Sequence, residues 1–211
     1  NNYLQTQAIS TAEATAAERI NEHAWFIRQL EKRAGLNRAL EFLPDEEGID
    51  QRRKTGKGLT RPELAVVMSY AKMALYSEMV QSSVPEDEYL SKELGRYFPG
   101  PLQKRYDTYL REHPLAREII ATMITNSLVN RMGSVFAFRM QDETGADIAA
   151  VARAFTIARE VFEIRNTWEA IEALDNQVAA KVQYGMLRSS QALLMQATRW
   201  LLDRRDELPD I

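Results

Sequence analysis

Helix-start signals recur along this sequence, each followed by apolar residues spaced every three or four positions, and this pattern most constrains the fold. The signals are four-residue segments that begin with Ser, Thr or Asn and end with Glu: Ser10–Glu13, Thr60–Glu63, Ser83–Glu86 and Asn166–Glu169. In such a capping box the first side chain accepts a hydrogen bond from a first-turn backbone amide, and the Glu carboxylate reaches back. No run of alternating β-branched residues competes with these segments. The sequence therefore predicts an all-α fold.

The most apolar segment runs from Leu115 to Phe138, and apolar residues occupy nearly every face of the helix it predicts. A helix that is apolar all round is typical of a central position, surrounded by other helices. We therefore expect an irregular multi-helix domain built around this segment. The last helix is predicted over Asn176–Asp203. Its expected apolar side comprises Val178, Val182, Met186, Leu193, Leu194, Ala197 and Leu201.

A polar, glycine-punctuated stretch at Asp45–Gly58 is the longest predicted loop and the expected internal hinge. It carries an acidic block followed by a basic block. On this basis the chain divides into an N-terminal helical segment with a polar linker, residues 1–58, and a main helical domain, residues 59–211. One continuous domain over residues 1–211 is the alternative. The loop is also a candidate protein interface.

Composition excludes several classes of protein. None of the 211 residues is Cys, which excludes disulfide scaffolds, cysteine nucleophiles and Cys-based zinc sites. A net charge of −3 argues against general affinity for nucleic acid or for anionic membranes. No apolar run approaches the ~18 residues of a membrane span. Residues 1–7 show no secretory signal, so we expect a cytoplasmic protein that binds neither nucleic acid nor membrane.

The sequence predicts no catalytic, cofactor-binding or metal-binding residue. Gly56–Thr60 superficially suggests a phosphate-binding loop, but Gln51 stands where that pattern needs another Gly. The chain has only two histidines, His23 and His113, and neither has a partner at a metal-ligand spacing. Ordinary structural roles are therefore expected for both histidines.

Polar residues inside the central helix form the one unusual feature, which we call the polar seam: Thr122, Asn126, Asn130 and Arg131. The first three recur every four positions on one helical face, and Arg131 lies beside them. A buried amide without a partner costs about 1–3 kcal/mol, so these groups should be engaged. They form either a hydrogen-bonded seam that sets helix register or protein contact, or a site where Arg131 holds a carboxylate ligand.

Three long sequence blocks, in order, carry a family resemblance: GLTRPELAV at residues 58–66 followed by Tyr70-Ala71-Lys72, ITNSLVNRMG at residues 124–133, and ATRWLL at residues 197–202. The opening residues 2–8, NYLQTQA, add to it. Together these blocks resemble the C-terminal helical region of the large bacterial NAD-specific glutamate dehydrogenases. The resemblance covers essentially the whole chain.

The resemblance implies that a parent enzyme deaminates L-glutamate oxidatively to 2-oxoglutarate and ammonia while reducing NAD. It also implies that the NAD domain and the catalytic lysine lie upstream, so that this fragment is non-catalytic and binds no cofactor. Lys72 stands in a family block, but no family catalytic motif surrounds it, and no catalytic role is assigned to it. The implied partners are the catalytic core of the same polypeptide and further copies of the enzyme.

Two alternatives remain at this stage. A free-standing helical adaptor would have natural ends near Asn1 and Ile211, whereas the abrupt ends lead us to expect a longer parent chain. A sensing domain would hold a dicarboxylate or an amino acid at Arg131.

Overall fold

The computed structural model describes residues 2–205 and residue 207, and these residues form eleven α-helices and two 3₁₀ turns. No strand occurs among them, so the predicted all-α class is confirmed. The 3₁₀ turns span Val84–Glu86 and Leu90–Lys92. The helices are α1 (Asn2–Glu13), α2 (Ile20–Ala34), α3 (Glu46–Lys54), α4 (Arg61–Gln81), α5 (Glu93–Tyr97), α6 (Gly100–Arg111), α7 (Ala116–Met132), α8 (Phe136–Thr144), α9 (Ile148–Val161), α10 (Ile164–Glu172) and α11 (Ala180–Asp203).

The predicted central helix is shorter than expected. α7 packs against α1, α4, α5, α8, α9 and α11, so its central position is confirmed. The helix does not run on to Phe138, however, because Gly133 adopts φ 87° and ψ 165°, a backbone conformation that favours glycine. The chain turns there and continues as α8. After this break the Phe138 ring packs edge-on against the Phe26 ring, with 5.0 Å between the ring centroids, and the Phe136 ring contacts the Phe155 ring.

The predicted loop at Asp45–Gly58 was wrong, because residues 46–54 form α3. The Asp45 carboxylate caps this helix by accepting a hydrogen bond from the Gly48 amide at 2.8 Å. The acidic block lies in the first turn and the basic block in the last turn, where each complements the helix dipole. Ile49 is fully buried and anchors α3 against α2. The segment therefore contains a docked helix where the sequence predicted a loop.

Only one of the four predicted capping boxes forms. The amide of Thr60 donates to the Glu63 carboxylate at 2.7 Å, and the reciprocal contact is also present. Ser10–Glu13 instead lies at the end of α1, Ser83–Glu86 starts only a 3₁₀ turn, and Asn166–Glu169 lies inside α10. A capping box requires an extended first residue, and the first residue of each of these three segments is helical or turned.

The buried face of α11 also differs from the prediction. The helix begins at Ala180 and not at Asn176, and four of the predicted core residues are exposed: Val178, Val182, Met186 and Leu193. The residues that face the core are Gln183, Leu187, Ser190, Leu194, Thr198 and Leu202. Trp200 is also exposed. One side of α11 therefore presents apolar side chains to solvent.

Two of the buried polar groups on α11 are satisfied by α10. The Gln183 side-chain amide donates to the Ile171 carbonyl at 2.9 Å, and the Trp168 indole donates to the Ser190 hydroxyl at 3.2 Å. These bonds explain why a partly polar face of α11 is the buried one. Within the described part of the chain, no helix is both long and apolar enough to span a bilayer.

Candidate functional site

The structure brings the four polar-seam residues to the wall of one cleft of about 540 Å³. The cleft lies between α7, α5, α10 and the start of α1. Thr122 is exposed and its hydroxyl donates to the Glu118 carbonyl of its own helix, whereas Asn130 is buried. The other residues that line the cleft are Leu4, Glu93, Arg96, Tyr97, Met123, Ser127, Arg165, Trp168 and Glu169.

Arg131 is engaged within the domain. Its guanidinium pairs with the Glu172 carboxylate of α10 and stacks on the Trp168 ring, 4.4 Å from the ring centre. Its backbone carbonyl accepts a hydrogen bond from the Gln191 side chain of α11 at 2.7 Å. Arg131 thus connects three helices, and a free carboxylate would have to compete with Glu172 for the guanidinium fork.

Glu93 of α5 lies close to three arginine side chains near the cleft. Its carboxylate accepts from Arg96 at 2.6 Å and from Arg165 at 3.0 Å, and it lies 3.5 Å from Arg159. Arg159 is almost completely buried, and burial followed by repulsion from Arg165 lowers its pKa from the ordinary value. Glu160 pairs with both Arg159 and Arg165. The cluster therefore holds three arginines and two carboxylates in mutual contact.

Asn126 connects the seam to α4. Its side-chain oxygen accepts a hydrogen bond from the Lys72 ammonium at 2.8 Å. Burial of this ammonium lowers the pKa of Lys72 to about 8. Sequence reasoning missed this environment, although Met68 and Tyr76, four positions before and after Lys72, place apolar side chains on the same helical face.

The glycine-containing segment before α4 does not fit a dinucleotide phosphate. A Cβ placed on Gly58 would lie 2.2 Å from the backbone carbon of Ala16, so this glycine is needed for close packing. Its carbonyl accepts from Arg52 at 3.2 Å, and Arg52 also pairs with Glu63. This segment packs against its neighbours and leaves no space for a phosphate cradle at Gly58.

The two histidines lie in different surroundings. His23 is buried in α2, and burial, followed by the nearby Arg19 charge, lowers its pKa to about 4. His113 accepts a hydrogen bond from the Leu115 amide at 3.1 Å and contacts the Phe98 ring. Among residues 2–205 and 207, no cluster of three His, Asp or Glu residues is placed to hold a metal ion.

The fold and the cleft define an all-α domain whose arginines are largely ion-paired around one apolar helix. Residues 56–211 match the family described as "Glutamate dehydrogenase, C-terminal". The chain belongs to this family, and the resemblance seen in the sequence blocks is confirmed.

The matched relatives are much longer than this chain. It is 44% identical over 204 residues to the NAD-specific glutamate dehydrogenase of Halomonas elongata, covering 97% of this chain and 13% of that protein. The same-named protein of Pseudomonas aeruginosa is 44% identical over 209 residues, 99% of this chain and 13% of that protein. That of Mycobacterium tuberculosis is 34% identical over 203 residues, 96% of this chain and 12% of that protein. The chain therefore spans about an eighth of the length of these relatives.

Proposed function

We propose that this chain acts as the non-catalytic, structural or regulatory C-terminal domain of a cytoplasmic NAD-dependent glutamate dehydrogenase. The whole polypeptide would convert L-glutamate, NAD and water to 2-oxoglutarate, ammonia and NADH. The names of the relatives and the small share of their length that matches support this proposal. The domain would pack on the catalytic core and contribute to assembly of a homo-oligomer.

The observation that carries the structural role is the engagement of Arg131. Its pairing with Glu172 and stacking on Trp168 hold α7 against α10. An arginine used in this way sets the register of packed helices, and the same contacts disfavour Arg131 as a receptor for a small carboxylate. This supports the seam interpretation over the sensing domain that the sequence left open.

The exposed apolar side of α11 is the surface that we propose contacts another protein surface. Val182, Met186, Leu193 and Trp200 recur along one side of the helix. A contiguous patch of exposed apolar side chains usually marks a site of interaction with another molecule. We propose the contact with the catalytic core here and not at residues 45–58, where Glu46, Arg52 and Arg53 already form ion pairs within the domain.

We further infer that residues 1–211 form one continuous domain, without a division after residue 58. α1 packs on both α4 and α7, and α2 packs on α4. These contacts join the N-terminal helices to the central helix.

The test compares this chain with the full-length polypeptide. NADH formation from L-glutamate and NAD, followed by absorbance, should be seen with the full-length protein and not with the 211-residue chain. NAD reduction by the isolated chain would refute the non-catalytic role.

A binding experiment tests the proposed contact on α11. A full-length polypeptide from which the present chain has been deleted should co-elute with the separately added chain in size-exclusion chromatography. Leu193→Asp should weaken that association at least tenfold, because it places a charge among the exposed apolar side chains. Ala192→Asp is the matched control, since this exposed residue lies about 100° round the helix from Leu193, and it should leave the association unchanged.

A further inference from the structure

A second, smaller groove lies between α4 and α7 and shares two polar-seam residues, Thr122 and Asn126, with the wall of the ion-paired cleft. Its volume is about 320 Å³, and it opens broadly to solvent. The groove combines one cation, two threonine hydroxyls and one amide with a tyrosine and a thioether side chain. Its lining residues are Lys72, Met73, Tyr76, Thr122, Thr125 and Asn126.

The cation in this groove has no counter-ion in the part of the chain that the structure describes. The Lys72 ammonium is half-buried and donates to the neutral Asn126 oxygen at 2.8 Å. Burial alone lowers its pKa to about 8, without a contribution from a nearby charge. Removing an ammonium from water is unfavourable unless an anion compensates it. The arginines around the neighbouring cleft, by contrast, do have carboxylate partners.

The surrounding polar groups complete a set of donors. The ammonium has further N–H bonds beyond the one given to Asn126, and the Asn126 amide supplies an NH₂ group. The Thr125 hydroxyl is buried in the groove wall, and no partner for it exists among residues 2–205 and 207. A buried hydroxyl without a partner keeps its capacity to donate a hydrogen bond to a group bound nearby.

The chemistry of the ligand that fits the groove follows from these donors. An acceptor-only group with one negative charge matches one ammonium surrounded by neutral donors. A carboxylate has this character, whereas a doubly charged phosphate would leave excess charge in a groove with a single cation. Met73 and Tyr76 provide apolar contact for the carbon chain that carries the carboxylate.

We propose that the groove between α4 and α7 is a carboxylate-binding site in which Lys72 pairs with the carboxylate and Asn126 orients it. The carboxylate comes from one of two sources: a free carboxylic acid, or an Asp or Glu side chain of the remaining polypeptide. Only the second source rests on the proposed function. The first is tested on the present chain alone.

The first experiment measures the reactivity of individual lysines in the 211-residue chain. Amine acetylation followed by mass spectrometry over pH 6–11 gives an apparent pKa for each of the seven lysines. Glutarate at about 10 mM should raise the proton affinity of Lys72 about tenfold relative to chloride at equal ionic strength, because an anion favours the ammonium. The exposed Lys181 serves as the internal control and should not change.

The second experiment repeats the labelling in the full-length enzyme. If a side chain of the same polypeptide fills the groove, the pKa of Lys72 is already raised and glutarate adds nothing. If the groove takes a free acid, glutarate raises the pKa as in the isolated chain. Either result supports a carboxylate site and identifies its source.

Matched variants separate binding from structural damage. Lys72→Met should abolish the heat of glutarate binding in calorimetry, whereas Lys181→Met should retain it. The wild-type labelling experiment stands independently of whether Lys72→Met folds. The proposal is overturned if Lys72 reactivity responds neither to glutarate nor to the full-length context, or if Lys72→Met binds glutarate as tightly as the wild type.

Discussion

Acidification should destabilise this protein through His23. The ring is buried, and its pKa in the folded state is about 4, below the ordinary value of 6.5, because burial and then the Arg19 charge disfavour the imidazolium. The unfolded chain therefore binds this proton more tightly than the folded one. The contribution to stability is complete above pH 6.5 and is lost as the pH falls towards 4.

The magnitude follows from the same two pKa values. Each tenfold difference in proton affinity between the folded and unfolded states corresponds to about 1.4 kcal/mol. His23 therefore changes the free energy of unfolding by at most about 3.4 kcal/mol, between a pH at which the ring is neutral in both states and a pH at which it is protonated in both. Between pH 7 and pH 5 about 2 kcal/mol of it should be lost. That loss is a large fraction of the net stability of a typical domain.

The assay is urea unfolding at pH 7 and pH 5 for the wild type, His23→Gln and His113→Gln. The free energy of unfolding of His23→Gln should fall by about 2 kcal/mol less than that of the wild type over this interval. The His113→Gln control should follow the wild type. Because the chain has only two histidines, proton NMR can also titrate the His23 ring directly. Equal pH dependence in His23→Gln and the wild type, or a ring that titrates near pH 6.5, would refute the reasoning.

Three further perturbations test the packing. Glu172→Gln removes the counter-ion of the partly buried Arg131 and should lower the free energy of unfolding, measured by chemical denaturation, by about 1–3 kcal/mol. The control Glu169→Gln, at an exposed position, should change the free energy of unfolding by less than about 0.5 kcal/mol. Gly58→Ala places a Cβ 2.2 Å from the Ala16 backbone and should lower the free energy of unfolding. Gly185→Ala has open space around its Cβ in α11 and should raise the free energy of unfolding by about 0.5–1 kcal/mol, because Ala has the better helix propensity. Ile49→Ala should lower the free energy of unfolding by about 2–5 kcal/mol, because the side chain is fully buried. A change near zero, as expected of a loop residue, would contradict the docking of α3.

Local sequence signals predicted most of the helices but missed α3 and several helix boundaries. The capping box at Thr60–Glu63 formed as predicted because its bonds lie within one helical turn and need no distant partner. The acidic and basic blocks of Asp45–Gly58 were as informative as a capping box, since they match the helix dipole, but their glycines and polarity resembled a loop. Whether such a short helix forms depends on a tertiary anchor, in this case Ile49.

The polar seam was predicted as a set, and the structure divides it between two environments. Asn126 and Arg131 lie on the same helix, yet one pairs with a lysine of α4 and the other with a carboxylate of α10. The two residues are five positions apart, which separates their side chains by about 140° round α7. The identity of their partners comes from helices more than 40 positions away in sequence, at Lys72 and Glu172, which spacing alone cannot reveal.

The amino-acid sequence by itself determined the all-α class, the central apolar helix and the family, because helical periodicity and long ordered blocks are properties of neighbouring residues. Only the tertiary structure decided which stripe of α11 is buried, where the central helix breaks at Gly133, and that Lys72 lies half-buried without a counter-ion among the described residues. A helix with apolar side chains on more than one side satisfies its own backbone in any rotation about its axis. The choice among rotations is made by the volume and hydrogen bonds of the helices packed against it.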